Sequence, residues 1–105
     1  EDFFEERIFV FTPEGDILDL PQGSSAIDFA YAIHSEIGNT AQAARINGKN
    51  SALKTQLNSS DIVEIQTNKN GVPSTKWLSY IKTSMARKHI EKYAREHTLW
   101  NKMFN

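Results

Sequence analysis

The stretch from Phe9 to Gly38, FVFTPEGDILDLPQGSSAIDFAYAIHSEIG, limits the possible folds more than any other part of this chain. Ile8 to Thr12 alternates weakly and is rich in β-branched and aromatic residues, which predicts a strand buried on at least one face. Pro13-Glu14-Gly15-Asp16 supplies a tight turn, with proline fixing φ and glycine taking the left-handed position. Ile17 to Leu20 returns as a second strand, and Pro21-Gln22-Gly23 stops it. Ser24 or Ser25 then caps a helix, and Ser25-x-x-Asp28 has the form of a capping box with Asp in place of Glu. Ala26, Phe29, Ala30, Ile33 and Ile37 fall within roughly 100° of one another at 3.6 residues per turn and mark its core face. Gly38 stands where a left-handed C-terminal cap belongs.

Downstream, Ala43 to Ile46 leads into Asn47-Gly48, a strong hairpin signal. Ala52-Leu53 reads as a short strand, Gln56 to Ser60 as a turn, and Asp61 to Thr67 as the closing strand. Two hairpins, one helix and a final strand give ββαββ with a fifth short strand. That is an α+β chain of the β-grasp (ubiquitin-like) type. So small a domain has no room for a catalytic pocket of its own, so binding is expected rather than chemistry. Asn68 to Pro73 is a polar linker. Ser74 caps a second helical region starting at Thr75-Lys76-Trp77, Thr83-Ser84 breaks it, and Ser84 caps a longer helix from Met85 to about Phe104. On that helix Ala86, Ile90, Tyr93, His97, Trp100 and Phe104 form an apolar stripe awaiting a partner. The expected division is an upstream linker over 1–6, the grasp domain over 7–68, and a linker with the start of a helical domain over 69–105.

With 105 residues the chain holds one compact domain and some extra. It has no cysteine, which excludes disulfides, a thiol nucleophile and zinc–thiolate sites. No apolar run approaches the roughly 20 residues that span a bilayer. Starting at Glu1-Asp2-Phe3-Phe4, it reads as a piece of a longer cytoplasmic protein. The net charge of −1 conceals a division. Residues 1–73 hold five Lys/Arg against eleven Asp/Glu, whereas residues 74–105 hold seven against two. The asymmetry points to two segments with different neighbours, or simply to a solvated basic helix.

No nucleophile–base pair, Walker loop, GxSxG or HD pair is present, so no enzymatic reading of these residues survives. His89 and His97 stand eight apart rather than the three or four that metal ligands on one helix need, so neither a metal site nor a cofactor is expected.

The strings VFTPEGDILDLPQGS, IDFAYAIHSEIG, INGK and SDIVEIQTNK resemble the TGS domain of RelA/SpoT-type (p)ppGpp synthetase/hydrolases over residues 7–68. PSTKWLSYIKTSMARKHIEKY, roughly 73–93, resembles the start of the helical region that follows TGS in those enzymes. The resemblance implies a regulatory module of the stringent response, not an enzyme. The parent would be a GTP pyrophosphokinase, a (p)ppGpp hydrolase or both. It further implies that His34 meets the 3′ CCA end of deacylated tRNA on the ribosome, where a free 2′,3′-diol fits and an esterified one clashes. The alternative is a protein-interaction module that binds acyl carrier protein or the parent's own catalytic domains. Three departures from the family pattern stand out. Thr40-Ala41-Gln42-Ala43 replaces a basic or Cys/His-containing stretch, Ala43 replaces a glycine, and Ser60 replaces the glycine before Asp61.

His34 lies roughly 80° from the centre of the core stripe, beside Ile27 and Tyr31. It is either a half-buried ring packed on Ile27 with a nitrogen bonding the sheet, or, with Tyr31, a contact for an RNA end through hydrogen bonding or stacking. Arg45 and Lys49 flank the Asn47-Gly48 turn and either neutralise phosphates or are merely solvated. Lys82, Arg87, Lys88, Lys92 and Arg95, with aromatic residues between them, suit RNA or form the outer side of a core-facing helix.

Overall fold

The computed structural model describes residues 6–104, and side chains only as far as Thr98. The stretch 1–5, most of the expected upstream linker, lies outside the described residues, as do the Trp100 and Phe104 side chains of the expected stripe. The chain folds as β1 (Arg7–Phe11), β2 (Ile17–Pro21), α1 (Ala26–Ile33), α2 (Ser35–Asn39), β3 (Ala41–Ile46), β4 (Lys49–Ser51) and β5 (Val63–Thr67). A 3₁₀ turn (Thr75–Ser79) and α3 (Ser84–Phe104) follow.

β1 pairs antiparallel with β2, placing Ile8 opposite Leu20 and Val10 opposite Leu18, while β3 pairs antiparallel with both β4 and β5. The two groups join where Phe11 bridges Ile62 in the parallel sense. The Phe11 N–H donates to the Asp61 carbonyl at 2.9 Å and the Ser60 N–H to the Phe9 carbonyl at 2.7 Å. The strand order is therefore β2-β1-β5-β3-β4 with α1 across one face, the β-grasp arrangement that the residue pattern predicts. Both expected hairpin turns take left-handed backbone at Gly15, and at Asn47 and Gly48. The short edge strand differs from expectation. It is Lys49–Ser51, and Ala52-Leu53 instead begins a segment that crosses the start of α1.

That segment satisfies the first amides of α1, which have no partner inside the helix. The Ala26 N–H donates to the Thr55 carbonyl and the Ile27 N–H to the Leu53 carbonyl, while the Leu57 N–H returns to the Ser24 carbonyl. Ser25 caps the helix, and the capping box with Asp28 forms as the sequence suggests. Ala26, Phe29 and Ala30 are buried as expected, but so are Ile27, Asp28 and Tyr31. Ile33, expected in the core, is exposed. α1 is covered on a second face because α3 packs against it.

The C-terminal part does not stand apart. Trp77, Ile81, Ala86 and Ile90 belong to the same core as Val10, Phe29 and Val63. The polar link is the Asp28 carboxylate, itself fully buried. It accepts from Ser25 N–H at 2.8 Å and Ser25 Oγ at 3.0 Å within its own turn. From 54 and 55 residues further along it also accepts Lys82 N–H at 2.9 Å, Thr83 N–H at 2.9 Å and Thr83 Oγ1 at 2.8 Å. Thr83 Oγ1 in turn accepts from the Ala86 amide, so Thr83, not Ser84, caps α3. One carboxylate thus caps α1 and fixes the entry to α3.

Two predictions follow from this architecture. Asp28→Ala removes a buried carboxylate and leaves the Lys82 and Thr83 amides without their acceptor. It should cost about 3 kcal/mol, seen as a fall of roughly 2 M in the urea midpoint; an unchanged midpoint would refute the latch. Ser60 sits at φ 77°, a region where non-glycine residues are strained. Ser60→Gly should relieve that strain and, after the entropy that glycine loses, raise stability by about 0.5 kcal/mol. Calorimetry checks this by a rise of a few degrees.

Candidate nucleic-acid interface

The sequence predicts one helix running to Gly38, but the helix breaks at His34. The backbone there is extended (φ −170°, ψ 144°), and its N–H still closes α1 onto the Ala30 carbonyl at 3.3 Å. The His34 side chain then turns back, and Nδ1 accepts the Glu36 N–H at 3.0 Å, capping α2. His34 therefore ends one helix and starts the next. With Nδ1 occupied as an acceptor, the neutral ring carries its proton on Nε2. The residue is exposed, so neither a ring packed on Ile27 nor a bond to the sheet describes it. It is an exposed imidazole held at a helix junction.

Gly38 is no left-handed cap. It is buried inside α2, and a Cβ there would overlap the Tyr31 ring. α2 ends instead at Thr40, whose amide bonds back to the Glu36 carbonyl at 3.1 Å. Tyr31 is 1 % exposed. Its hydroxyl donates to Asn39 Oδ1 at 2.8 Å, and its ring stacks on His89 of α3. The Tyr31 ring therefore supports the junction from below and offers no surface of its own to an RNA end.

Arg45 and Lys49 are exposed, but the fold does not bring them to His34. Arg45 stands opposite Glu64 of β5, on the sheet face turned away from buried Ala44 and Ile46. It is four residues, about 13 Å at strand rise, beyond Ala41, where α2 feeds into β3. Lys49 sits past the Asn47-Gly48 turn. Gln42 is the extra residue of a β-bulge between Ala41 and Ala43, and Ala43 takes no positive φ, so glycine is not required there.

An open cleft of ≈ 540 Å³ lies between β2, α1 and the start of α3, with Asp19, Pro21, Ser84 and Met85 among its walls. Asp28 reaches it too, but both its oxygens are already engaged by Ser25, Lys82 and Thr83. On α3, Arg87, Lys88, Lys92 and Arg95 are exposed, and the half-buried Tyr93 ring stacks on His97 with centroids 3.7 Å apart. These basic side chains are the outer side of a core-facing helix. Among the described residues no helix is long and apolar enough to cross a membrane.

The TGS domain model matches residues 8–67, the sheet apart from Arg7 together with α1 and α2. The chain belongs to the TGS family. Over 94 residues it is 50% identical to the guanosine-3′,5′-bis(diphosphate) 3′-pyrophosphohydrolase of Aquifex aeolicus, covering 90% of this chain and 13% of that protein. It is 42% identical over 95 residues to a GTP pyrophosphokinase of Myxococcus xanthus, covering 90% of this chain and 12% of that protein. A third relative, the pyrophosphohydrolase of Borreliella burgdorferi, is 46% identical over 86 residues, covering 82% of this chain and 13% of that protein. The chain thus spans about an eighth of the length of these RelA/SpoT-type relatives, and the similarity runs past the TGS domain into the C-terminal extension.

Neither proline nor glycine marks the break at His34 in the sequence. A usable signal is His34-Ser35-Glu36, a side-chain acceptor followed two residues later by an acidic first-turn residue. The coupling of Asp28 to Lys82 and Thr83 has no local signature.

Burial pushes the Tyr31 phenol up, and burial followed by the nearby Asp28 charge does the same to Tyr80. Both phenols keep their protons in the fold at pH values where the unfolded chain, titrating near 10, loses them. Their contribution to stability is complete below about pH 10 and drains as pH rises above it. Urea midpoints measured between pH 8 and 11.5 should therefore fall above pH 10, and less steeply in Tyr31→Phe. An identical slope in the two proteins would contradict this.

Proposed function

We propose that this TGS chain is a regulatory ligand-binding module of a RelA/SpoT-type (p)ppGpp synthetase/hydrolase that senses the 3′ CCA end of deacylated tRNA in the stringent response. The names of its relatives support guanosine tetraphosphate metabolism as the setting. The observation that supports the RNA end is His34: exposed, and fixed by the bond that its Nδ1 accepts from the Glu36 amide. Such a ring can donate to a ribose or phosphate oxygen, or stack on a terminal base, which is how single-stranded RNA ends are commonly read. On the family resemblance, a free terminal diol would fit beside this ring and an acylated one would clash.

The module would act in the cytoplasm, on the ribosome, and relay the state of the tRNA to catalytic domains elsewhere in the parent, which carry the synthetase or hydrolase chemistry. Tyr31 serves by holding the junction. Arg45 and Lys49 would neutralise phosphates upstream of the terminus. Because residues 1–73 are acidic on balance, counterion release adds little, and affinity rests on the ribosome and the remaining domains.

The rival reading, a surface for acyl carrier protein, draws on the exposed Lys88, Lys92 and Arg95 of α3, the basic face that an acidic carrier would need. Deleting residues 74–105 would not separate the two, since Trp77, Ile81, Ala86 and Ile90 complete the core.

His34→Asn does separate them, because asparagine is a good helix cap and keeps α2 while removing the imidazole. Calorimetry should show little change in melting. Binding of a short RNA ending in CCA, followed by NMR, should weaken about tenfold. A blocked 3′ end should mimic the mutant in wild type. Equal RNA binding by mutant and wild type would overturn the proposal.

A further inference from the structure

α2 has only five residues, far too few to stay helical in water unaided. Its position is imposed by what it rests on. At its first turn the support is the His34 cap, and at its last residue it is the Tyr31 hydroxyl bonded to Asn39. Between them Gly38 lies against the Tyr31 ring closely enough to exclude any Cβ. The Tyr31 ring is in turn stacked on His89, with centroids 5.6 Å apart and planes 3° from parallel. His89 is half-buried in the second turn of α3, immediately after the turn that Asp28 pins. The Tyr31 side chain thus touches α2 and α3 from its place in α1.

We infer that His89 is a positioning residue for the His34 site: by stacking on Tyr31 it fixes the seat of α2, and so couples the conformation around His34 to the placement of α3. The inference rests on the reading of His34 as the ligand contact only for its functional meaning. The mechanical coupling stands on the packing alone. Coupling of this kind is reciprocal. A ligand that orders α2 at His34 tightens the Tyr31–His89 stack, and a force that shifts α3 loosens α2. α3 leads the chain away from the grasp domain, so it is the element through which occupancy at His34 is reported. If the stack were only core packing, any apolar side chain at position 89 would serve equally.

Amide hydrogen exchange by NMR on the full 105-residue chain needs no ligand and tests this directly. The Gly38 amide donates to the His34 carbonyl and the Thr40 amide to the Glu36 carbonyl, each at 3.1 Å, so these two report on α2. His89→Leu should speed exchange at both about fivefold, the weight of one aromatic pair, and leave Ala44 and Val63 of the sheet within about twofold. His89→Phe should restore the wild-type rates. Unchanged exchange at Gly38 and Thr40 in His89→Leu would overturn the inference, as would equal acceleration in α2 and the sheet. In a second arm with a CCA-ended RNA, the coupling predicts weaker binding by His89→Leu than by His89→Phe. If wild type fails to bind that RNA, the RNA-end reading falls while the exchange result still decides the coupling.

Discussion

The buried Asp28 carboxylate determines what kind of object this chain is. A charge with no solvent exposure is costly unless every oxygen finds a donor, and here the donors come from two places far apart in sequence. Ser25 supplies them from within the same helical turn, and Lys82 and Thr83 supply them from the entry to α3. A capping box alone would satisfy one side of the carboxylate. The second set satisfies the other and commits the chain to laying α3 across α1. With α3 in place, Ile27 and Tyr31 become interior residues, and Trp77, Ile81, Ala86 and Ile90 join the core.

That covering of α1 shapes the site. With Tyr31 buried under α3, its ring is available to brace α2, and α2 can then be a single short turn of helix hung from the His34 cap. An uninterrupted helix would have left His34 on a regular helical surface. The break sets it at a junction instead, with its ring orientation fixed by the Glu36 amide. Fixing the ring in advance reduces the ordering cost of a small, weak contact. This suits a module whose surface charge opposes nucleic acid.

The first hairpin, the capping box and the Asn47-Gly48 turn were legible in the sequence, because each depends on residues within a few positions of one another. The edge strand falls at Lys49–Ser51 rather than Ala52-Leu53, and the order of the strands rests on the distant Phe11–Ile62 bridge. The apolar stripe of α1 was read only in part. Ile27 and Tyr31 fall outside a one-sided stripe, and the cover that α2 and α3 give the Tyr31 ring has no local signature. Gly38 was recognised as special but for the wrong reason: steric exclusion by Tyr31, seven residues earlier, requires glycine there, not backbone handedness. Ser60 shows the converse. The residue that departs from the family's glycine does take positive φ, so the turn geometry persists without the residue that favours it. His34 was singled out as a candidate by chemistry and family resemblance, yet its capping role depends on an irregular backbone that no periodicity predicts.

The grasp domain and the start of α3 form one cooperative unit fastened at Asp28, so that a change at His34 is felt along α3. Residue-resolved urea unfolding by NMR tests it most directly, following the methyl groups of Ile90 in α3 and of Val10 and Val63 in the sheet. A cooperative unit gives a single shared midpoint for all three. Loss of the native Ile90 signal at clearly lower urea, with Val10 and Val63 still native, would show that α3 is an appendage and would contradict it.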